Sequence, residues 1–180
     1  MSSGSVDFCQ LAGATQALNG VVAGSGGLVK SGAGVLILAG SNTYSGVTLV
    51  SNGILQVNGS IHSSVTASGT GTLAGTGTVY GAVSGTGRIT ATITNNSGGA
   101  ECITVSGTLD VSGAVLSVLD PGINLLTSSS AYTVARFTPG GLTGTFVSND
   151  LPQGWLVRYN NGAGTIQVYR GHPGTLIKIQ

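Results

Sequence analysis

The chain has 180 residues with 32 glycines, a charged fraction of 6% and a formal net charge of +1. Disordered chains combine low hydrophobicity with high charge or proline content. This sequence is apolar and nearly uncharged, so we do not expect the chain to be disordered throughout. The Lys and Arg residues are scattered singly, which argues against nucleic-acid binding because that function needs clustered cations to neutralise phosphates.

The N-terminal segment, residues 1–25, is expected to form a first coil or a cap. Its opening residues, MSSGSVDFCQLAG, lack the basic and apolar regions of a signal peptide. No apolar run in the chain approaches the ~20 residues of a membrane-spanning helix. We therefore expect either a cytosolic protein or a piece of a longer exported precursor. The stretch CQLAGATQALNG, residues 9–20, is the one place where a helical turn is plausible.

Residues 26–122 predict a β-solenoid. Apolar residues alternate in short runs that Gly, Ser, Asn and Thr bound, as in GVLILAG and GILQVNG. A helix with so many glycines would lose about 1 kcal/mol per Gly relative to Ala. Equivalent apolar positions recur at about 20-residue spacing, which fits one coil of two or three strands. We assign them to Leu36, Leu55, Leu73, Ile89 or Ala91, and Leu109. The segment thus predicts roughly five coils of a parallel β-helix, with strands about 4.8 Å apart.

Residues 123–170 differ from the preceding repeats in strand length and aromatic content, and they predict a cap for the end of the β-helix. Their strands are longer, and YNNGAGT is typical of a hairpin turn between WLVRY and TIQVYR. An open solenoid end exposes unpaired backbone, which a hairpin-rich segment would cover. Most of the aromatic residues of the chain lie here, at Tyr132, Phe137, Phe146, Trp155, Tyr159 and Tyr169. Residues 171–180 are a tail or linker remnant whose role the sequence does not assign.

The titratable residues do not form a catalytic pattern. Asp110 and Asp120 are the only carboxylates close in sequence, and half a coil separates them, so we expect them on different faces. His62 is expected in a solvent-facing turn and His172 in the GHPG turn, with no third group to orient either. In GSGGLVKS, residues 24–31, Val29 stands where a phosphate loop needs Gly before Lys-Ser, and the next stretch is expected to be a strand and not a helix. No Asp accompanies the glycines as in calcium-binding rolls. We predict no catalytic, cofactor or metal site and no cofactor.

The two cysteines are predicted to be free thiols. Cys9 and Cys102 would lie four or five coils apart, about 20 Å along the axis. A disulfide needs Cα atoms within about 7 Å. Cys102 stands in an alternating strand and is expected to be a small core residue.

A row of alternating threonines leaves two alternatives open. Thr90, Thr92 and Thr94 would project from one face of a strand. Stacked Thr rows on a flat solenoid face are the device of ice-binding solenoids, whereas Thr on a solvated strand face is also ordinary.

Residues 26–60 resemble the passenger-associated transport repeat of bacterial type V autotransporters, which have a pertactin-like, right-handed parallel β-helix. The pattern Gly-Leu-x-Lys-x-Gly-x-Gly-x-Leu-x-Leu-x-Gly is matched by Gly27, Leu28, Lys30, Gly32, Gly34, Leu36, Leu38 and Gly40. The following elements are matched by Asn42, Thr43, Tyr44, Gly46, Thr48, Val50, Gly53, Leu55, Val57, Asn58 and Gly59. The C-terminal part is similar to the autochaperone cap of such passengers, and this resemblance implies a capping core of Gly144, Phe146, Trp155, Leu156, Tyr159 and Val168.

The resemblance implies a function that is not enzymatic. It predicts a β-helical stalk that supports secretion, folding and display at the surface of a Gram-negative bacterium, with adhesion, autoaggregation or virulence as further roles. The implied partner is a C-terminal outer-membrane β-barrel translocator, which we expect to lie outside this chain, with a host-cell surface or self-association as further partners. The alternatives are a β-helix carbohydrate-active enzyme and a Thr-face solenoid that binds ice or a polymer.

Overall fold

The computed structural model describes residues 4–94, 100–120 and 131–170, and every regular element within these ranges is a β-strand. The strands form three sheets, one of eight strands and two of seven. The chain visits the sheets in a fixed order and then returns to the first sheet one strand further along. This path is that of a parallel β-helix and confirms the predicted fold class.

Each regular turn of the chain contributes one strand to each sheet, and such a turn is called a coil below. The first sheet contains β1 (Val6–Phe8), β3 (Leu28–Lys30), β6 (Thr48–Val50), β9 (Val65–Ala67), β12 (Val83–Gly85), β16 (Leu109–Asp110) and β19 (Leu142–Thr143). The second contains β2 (Thr15–Leu18), β4 (Val35–Leu38), β7 (Ile54–Val57), β10 (Thr72–Ala74), β13 (Arg88–Ile93), β14 (Ala100–Glu101), β17 (Val115–Leu119) and β20 (Ser148–Asn149). The third contains β5 (Ser41–Asn42), β8 (Ser60–Ile61), β11 (Thr78–Val79), β15 (Thr104–Val105), β18 (Tyr132–Phe137), β21 (Trp155–Asn160) and β22 (Thr165–Arg170).

The core is a set of apolar ladders, of which the clearest belongs to the second sheet. Its residues are in register from coil to coil and are between 0 and 3% exposed: Leu36, Leu55, Leu73, Ile89 and Leu116. Alternate residues of each strand point inward because successive side chains of a strand lie on opposite faces. One row of leucines therefore supplies a continuous buried seam, as the spacing predicts.

The last predicted position of this ladder is wrong. Leu109 belongs to the first sheet, where it pairs with Val83 and Leu142, and Leu116 takes the expected place over Ile89. The reason is an enlarged coil: β13 has six residues, and β14 follows it before the chain reaches the third sheet. A fixed spacing cannot follow a coil that contains an insertion.

The helical turn considered for residues 9–20 is also wrong. Thr15–Leu18 form β2, which pairs in parallel with β4 over four positions. Gly13 has a φ of 78° just before it, a left-handed conformation that suits a turn and not a helix. The strand is the more stable conformation because it pairs with β4 and extends the sheet by one strand, which a single helical turn could not do.

The C-terminal hairpin is present as predicted. β21 and β22 pair in antiparallel fashion from Trp155↔Arg170 to Asn160↔Thr165, and β22 also pairs with β18, so the hairpin extends the third sheet. Trp155 is 8% exposed, and its ring centroid lies 5.9 Å from that of the buried Tyr132. The third sheet therefore ends in antiparallel strands and not in another parallel coil. The predicted tail, residues 171–180, lies outside the described residues.

Candidate functional site

The carboxylates lie apart, as the sequence predicts. Asp110 is in β16 of the first sheet, whereas Asp120 follows β17 of the second. The hydroxyl and the backbone N–H of Ser112 both donate to Asp110, at 2.6 and 2.9 Å, and these hydrogen bonds lower the pKa of its carboxyl group. Among the described residues no three His, Cys, Asp or Glu side chains are grouped closely enough to hold a metal ion.

The remaining candidate side chains lie on the surface or in the core without forming a site. His62 is exposed, and its ring forms a T-shaped pair with the Tyr80 ring, with centroids 4.7 Å apart. His172 lies outside the described residues. Cys9 is an exposed free thiol and Cys102 a buried one, and burial raises the pKa of the Cys102 thiol. The prediction of two free thiols is confirmed.

The main concentration of buried polar groups lies in the coils between β3 and β8, and sequence reasoning missed its role. Lys30, the last residue of β3, has no exposed surface. Its ammonium group donates to the carbonyl oxygen of Gly32 and, at 3.2 Å, to that of Asn52 in the next coil. Burial lowers the pKa of Lys30, since desolvation disfavours its charged form. A cation thus joins two successive turns from inside the stack.

The turn above Lys30 requires a glycine. Gly53 has a φ of 68°, and a Cβ there would meet the carbonyl oxygens of Gly32 and Gly34 and the Lys30 ammonium group. A side chain would push this turn away from the cation that holds it. The lysine and the glycine are therefore two parts of one contact between coils.

Asn42, at the end of β5, joins three coils through one buried amide. Its Oδ1 accepts from the backbone N–H of Val22 at 2.9 Å, in the coil below. Its Nδ2 donates to the carbonyl oxygens of Gly40 at 2.8 Å and of Ser60 at 3.1 Å, the latter in the coil above. The side chain is not exposed, so its donors and its acceptor are used where water does not compete.

A chain of hydroxyl groups completes the arrangement. The Tyr44 hydroxyl lies 2.6 Å from Thr48 Oγ1, which lies 2.6 Å from Ser63 Oγ, and all three side chains are buried. Burial raises the pKa of Tyr44. Tyr44 and Thr48 flank the corner between the third and first sheets, so the chain of hydrogen bonds fixes that corner to the next coil. The sequence signal was that Lys30, Asn42 and Tyr44 are positions of the repeat pattern.

The residues implied as a capping core only partly share one buried cluster. Trp155 and Val168 are buried, whereas Phe146 and Tyr159 are half-buried, with ring centroids 6.2 Å apart. The backbone N–H of Phe146 donates to the Tyr159 hydroxyl at 3.0 Å, so the hairpin is tied to the last coil. Gly144 has a φ of 73°, which suits the turn after β19.

The threonine row does not form a flat solvated face. Thr90 is only 7% exposed, Thr92 is half-buried, and Thr94 is exposed beyond the end of β13. In the neighbouring strand, positions on the same face hold Thr72 and Ala74. The row is therefore short and set into a depression, which is unlike an extended regular array.

These features define a class of protein: a parallel β-helix whose coils are held in register by buried polar side chains. Residues 28–57 match the family described as Passenger-associated-transport-repeat, and this range contains Lys30, Asn42 and Tyr44. The chain therefore carries a passenger-associated transport repeat and resembles autotransporter passengers. No helix among the described residues has the length and apolar character needed to cross a membrane.

Curated relatives match this chain in sequence over only a short part of their own length. The chain is 50% identical over 44 residues to "Adhesin BmaC autotransporter" of Brucella suis biovar 1 (strain 1330), which is 24% of this chain and 1% of that protein. It is 55% identical over 38 residues to an "Extracellular serine protease" of Serratia marcescens, which is 21% of this chain and 4% of that protein. A second protein of that name and organism is 53% identical over 38 residues. The chain thus spans only a few per cent of the relatives it matches.

Proposed function

We propose that this chain is a non-enzymatic segment of an autotransporter passenger, a β-helical stalk that supports secretion across the outer membrane, folding and surface display. The observation that carries the proposal is the match of residues 28–57 to the transport repeat, at the place where buried polar groups hold successive coils together. The partner is a C-terminal outer-membrane translocator. One matched relative is named an adhesin, and we extend the proposal to an adhesive role for the displayed stalk.

The architecture supports folding after export. In the first and second sheets every strand from β3 to β17 except β14 pairs with strands of the preceding and following coils, so each added coil is stabilised by the one before it. A chain that leaves a narrow pore could therefore fold coil by coil. The low charge and the two unpaired thiols also suit passage of an extended chain.

The non-enzymatic part of the proposal is supported by the way the carboxylates are used. Asp7 accepts a hydrogen bond from Ser31, Asp110 from Ser112, and Asp150 from Ser117. These three pairs lie on different coils and serve local contacts. A carbohydrate-active enzyme would instead need two carboxyl groups that converge on one substrate.

The test is export of the chain when it is placed between a signal peptide and an autotransporter translocator in a Gram-negative host. We expect protease treatment of intact cells to reach the displayed chain, and the folded coils to resist limited digestion. Leu55→Asp should leave a displayed chain that is digested rapidly, because it buries a charge in the ladder. Leu49→Asp is the matched control, since Leu49 is 37% exposed in the adjoining strand. Failure of the parent chain to reach the surface would overturn the proposal.

A further inference from the structure

A groove of about 300 Å³ lies on the outer face of the second sheet. It extends over strands β4, β7, β10, β13 and β17, which at one coil per strand is a length of about 19 Å along the axis. β10 ends at Ala74, while β13 continues to Ile93, and β14 pairs with this distal half of β13. The enlarged coil therefore provides a groove that regular coils would not form.

The groove carries hydroxyl groups without partners. Thr72 and Thr90 are 9% and 7% exposed, and Thr92 is half-buried beside Glu101 in the register of β13 and β14. Within the described part of the chain, no hydrogen bond joins the side chains of Thr72, Thr90, Thr92 or Glu101 to another residue. None of the three threonine hydroxyl oxygens is a fully buried unsatisfied atom, and Glu101 is exposed, so these oxygens remain open to the groove. They are donors and acceptors available to a ligand.

The charges of the groove select against anions. The Arg88 guanidinium lies 3.6 Å from the Asp150 carboxylate, which compensates its charge. Glu101 has no such partner among the described residues. The local balance is therefore one negative charge, which repels acidic polymers and leaves an acceptor for hydroxyl donors.

The backbone of the groove floor is already used. The peptide groups of β13 pair with both β10 and β17, so this part of the floor offers side chains, and β14, which pairs on one side only, offers an edge of just two residues. An extended peptide binds a sheet mainly by backbone hydrogen bonds at such an edge. A chain of sugar rings instead presents hydroxyl groups at its edges and C–H groups on its faces, which match the free threonines and the apolar Ile54 and Leu119 of the groove.

We propose that this groove binds a neutral glycan chain that lies along the β-helix axis. The proposal rests on the adhesive role proposed above and gives it a ligand class and a site. Thr90 and Thr92 exchange hydrogen bonds with the sugar hydroxyl groups, and Glu101 accepts one and excludes acidic sugars. The open shape of the groove suits the middle of a polymer as well as its end.

The test is titration calorimetry of the soluble full chain with neutral β-linked hexasaccharides of glucose, N-acetylglucosamine and mannose. Hyaluronate fragments and an uncharged Gly/Ser peptide are the acidic and the peptide probes. We expect at least one neutral hexasaccharide to bind and both other probes to fail. Absence of binding by all neutral hexasaccharides, or preference for the peptide or for hyaluronate, would overturn the glycan assignment.

Variants locate the site. The double variant T90V/T92V should weaken binding at least about tenfold, the effect of two lost hydrogen bonds. Glu101→Gln should admit hyaluronate, because it removes the repulsive charge. Thr66→Val is the matched control, since Thr66 faces outward in β9 of the first sheet, and it should leave the affinity within about twofold. An equal loss of affinity in T90V/T92V and in Thr66→Val would show that the groove is not the binding site. Surface display is measured separately, so a failure of export is distinguishable from a failure of glycan binding.

Discussion

Leu55 lies directly over Leu36 in the second sheet, one coil further along the chain, and neither side chain has exposed surface. The backbones of the two coils are also hydrogen-bonded here: the N–H of Ile54 donates to the carbonyl oxygen of Gly34 at 3.1 Å. Leu73 repeats it in the next coil. A core of this kind is one-dimensional, so each residue stabilises two neighbouring coils and no distant ones.

Leu55→Ala should lower the free energy of unfolding by about 2–5 kcal/mol, because it opens a cavity between two coils. Urea titration followed by circular dichroism measures the change. Leu49→Ala is the control, since that side chain is 37% exposed in β6, and it should cost less than about 1 kcal/mol. An equal loss of unfolding free energy in the two variants would contradict the burial of Leu55 in the ladder.

Tyr44→Phe should lower the free energy of unfolding by about 1–3 kcal/mol, because it removes the hydroxyl that pairs with Thr48 in a buried site. Tyr80→Phe removes a hydroxyl from a side chain that is 52% exposed and should change stability by no more than about 0.5 kcal/mol. Thermal unfolding of the two variants beside the parent distinguishes them. A neutral Tyr44→Phe variant would show that the hydroxyl chain is not stabilising.

Asn42→Ala should cost roughly 2–3 kcal/mol, since the N–H of Val22 and the carbonyl oxygens of Gly40 and Ser60 each lose a buried hydrogen bond to the Asn42 amide. Asn58 is exposed and provides the control for a change of Asn to Ala. Hydrogen exchange gives a second measurement, because the Val22 amide should lose protection in the Asn42 variant alone. An unchanged Val22 exchange rate would count against the bridging role.

Lys30→Met should destabilise the chain at neutral pH, because the carbonyl oxygens of Gly32 and Asn52 lose their donor. Desolvation lowers the pKa of Lys30, with Cys9 and Asp7 acting in the opposite direction. The unfolded chain therefore binds more protons between that lowered pKa and the ordinary value of 10.5. The stability of the parent relative to Lys30→Met should accordingly rise as the pH is raised through this window.

The comparison with the variant is needed because other groups titrate in the same range. Burial raises the pKa of Tyr44 and of the Cys102 thiol, so both act with the opposite sign as the pH rises. These contributions cancel in the difference between parent and variant. A difference that stays constant, or falls with rising pH, would contradict the burial of a charged Lys30.

The native chain should react with Ellman's reagent at one thiol, and the unfolded chain at two. Cys9 is exposed, whereas Cys102 is buried with a raised pKa, and the thiolate is the reactive form. Cys9→Ser should remove the rapid phase completely. A rapid phase that persists in this variant would place Cys102 at the surface.

The sequence predicted the regular coils because their period is visible in it. Leu36, Leu55 and Leu73 recur at nearly constant spacing, and the pattern of glycines marks the corners between them. The same spacing argument failed at Leu109, since the coil that contains β13 and β14 is longer than the coils before it. Spacing fixes an ordinary coil but gives no measure of an insertion.

The buried polar groups could not be placed from the sequence. Lys30, Asn42 and Tyr44 were visible as family positions, yet their usual place is the surface or a turn. Only the stack brings the Asn52 carbonyl to Lys30 and the Ser60 carbonyl to Asn42, because each partner comes from another coil. A polar side chain is stable inside only when such partners are supplied.

The sequence by itself determined that this protein is a stack of short parallel strands, because alternation and glycine spacing follow directly from strand geometry and turn conformation. It also determined the transport repeat, whose residues are contiguous in the chain. Only the tertiary structure decided which polar groups lie inside and which lie in the groove. Those properties depend on contacts between residues about one coil apart, such as Thr92 with Leu119, and on where a coil is longer than those before it.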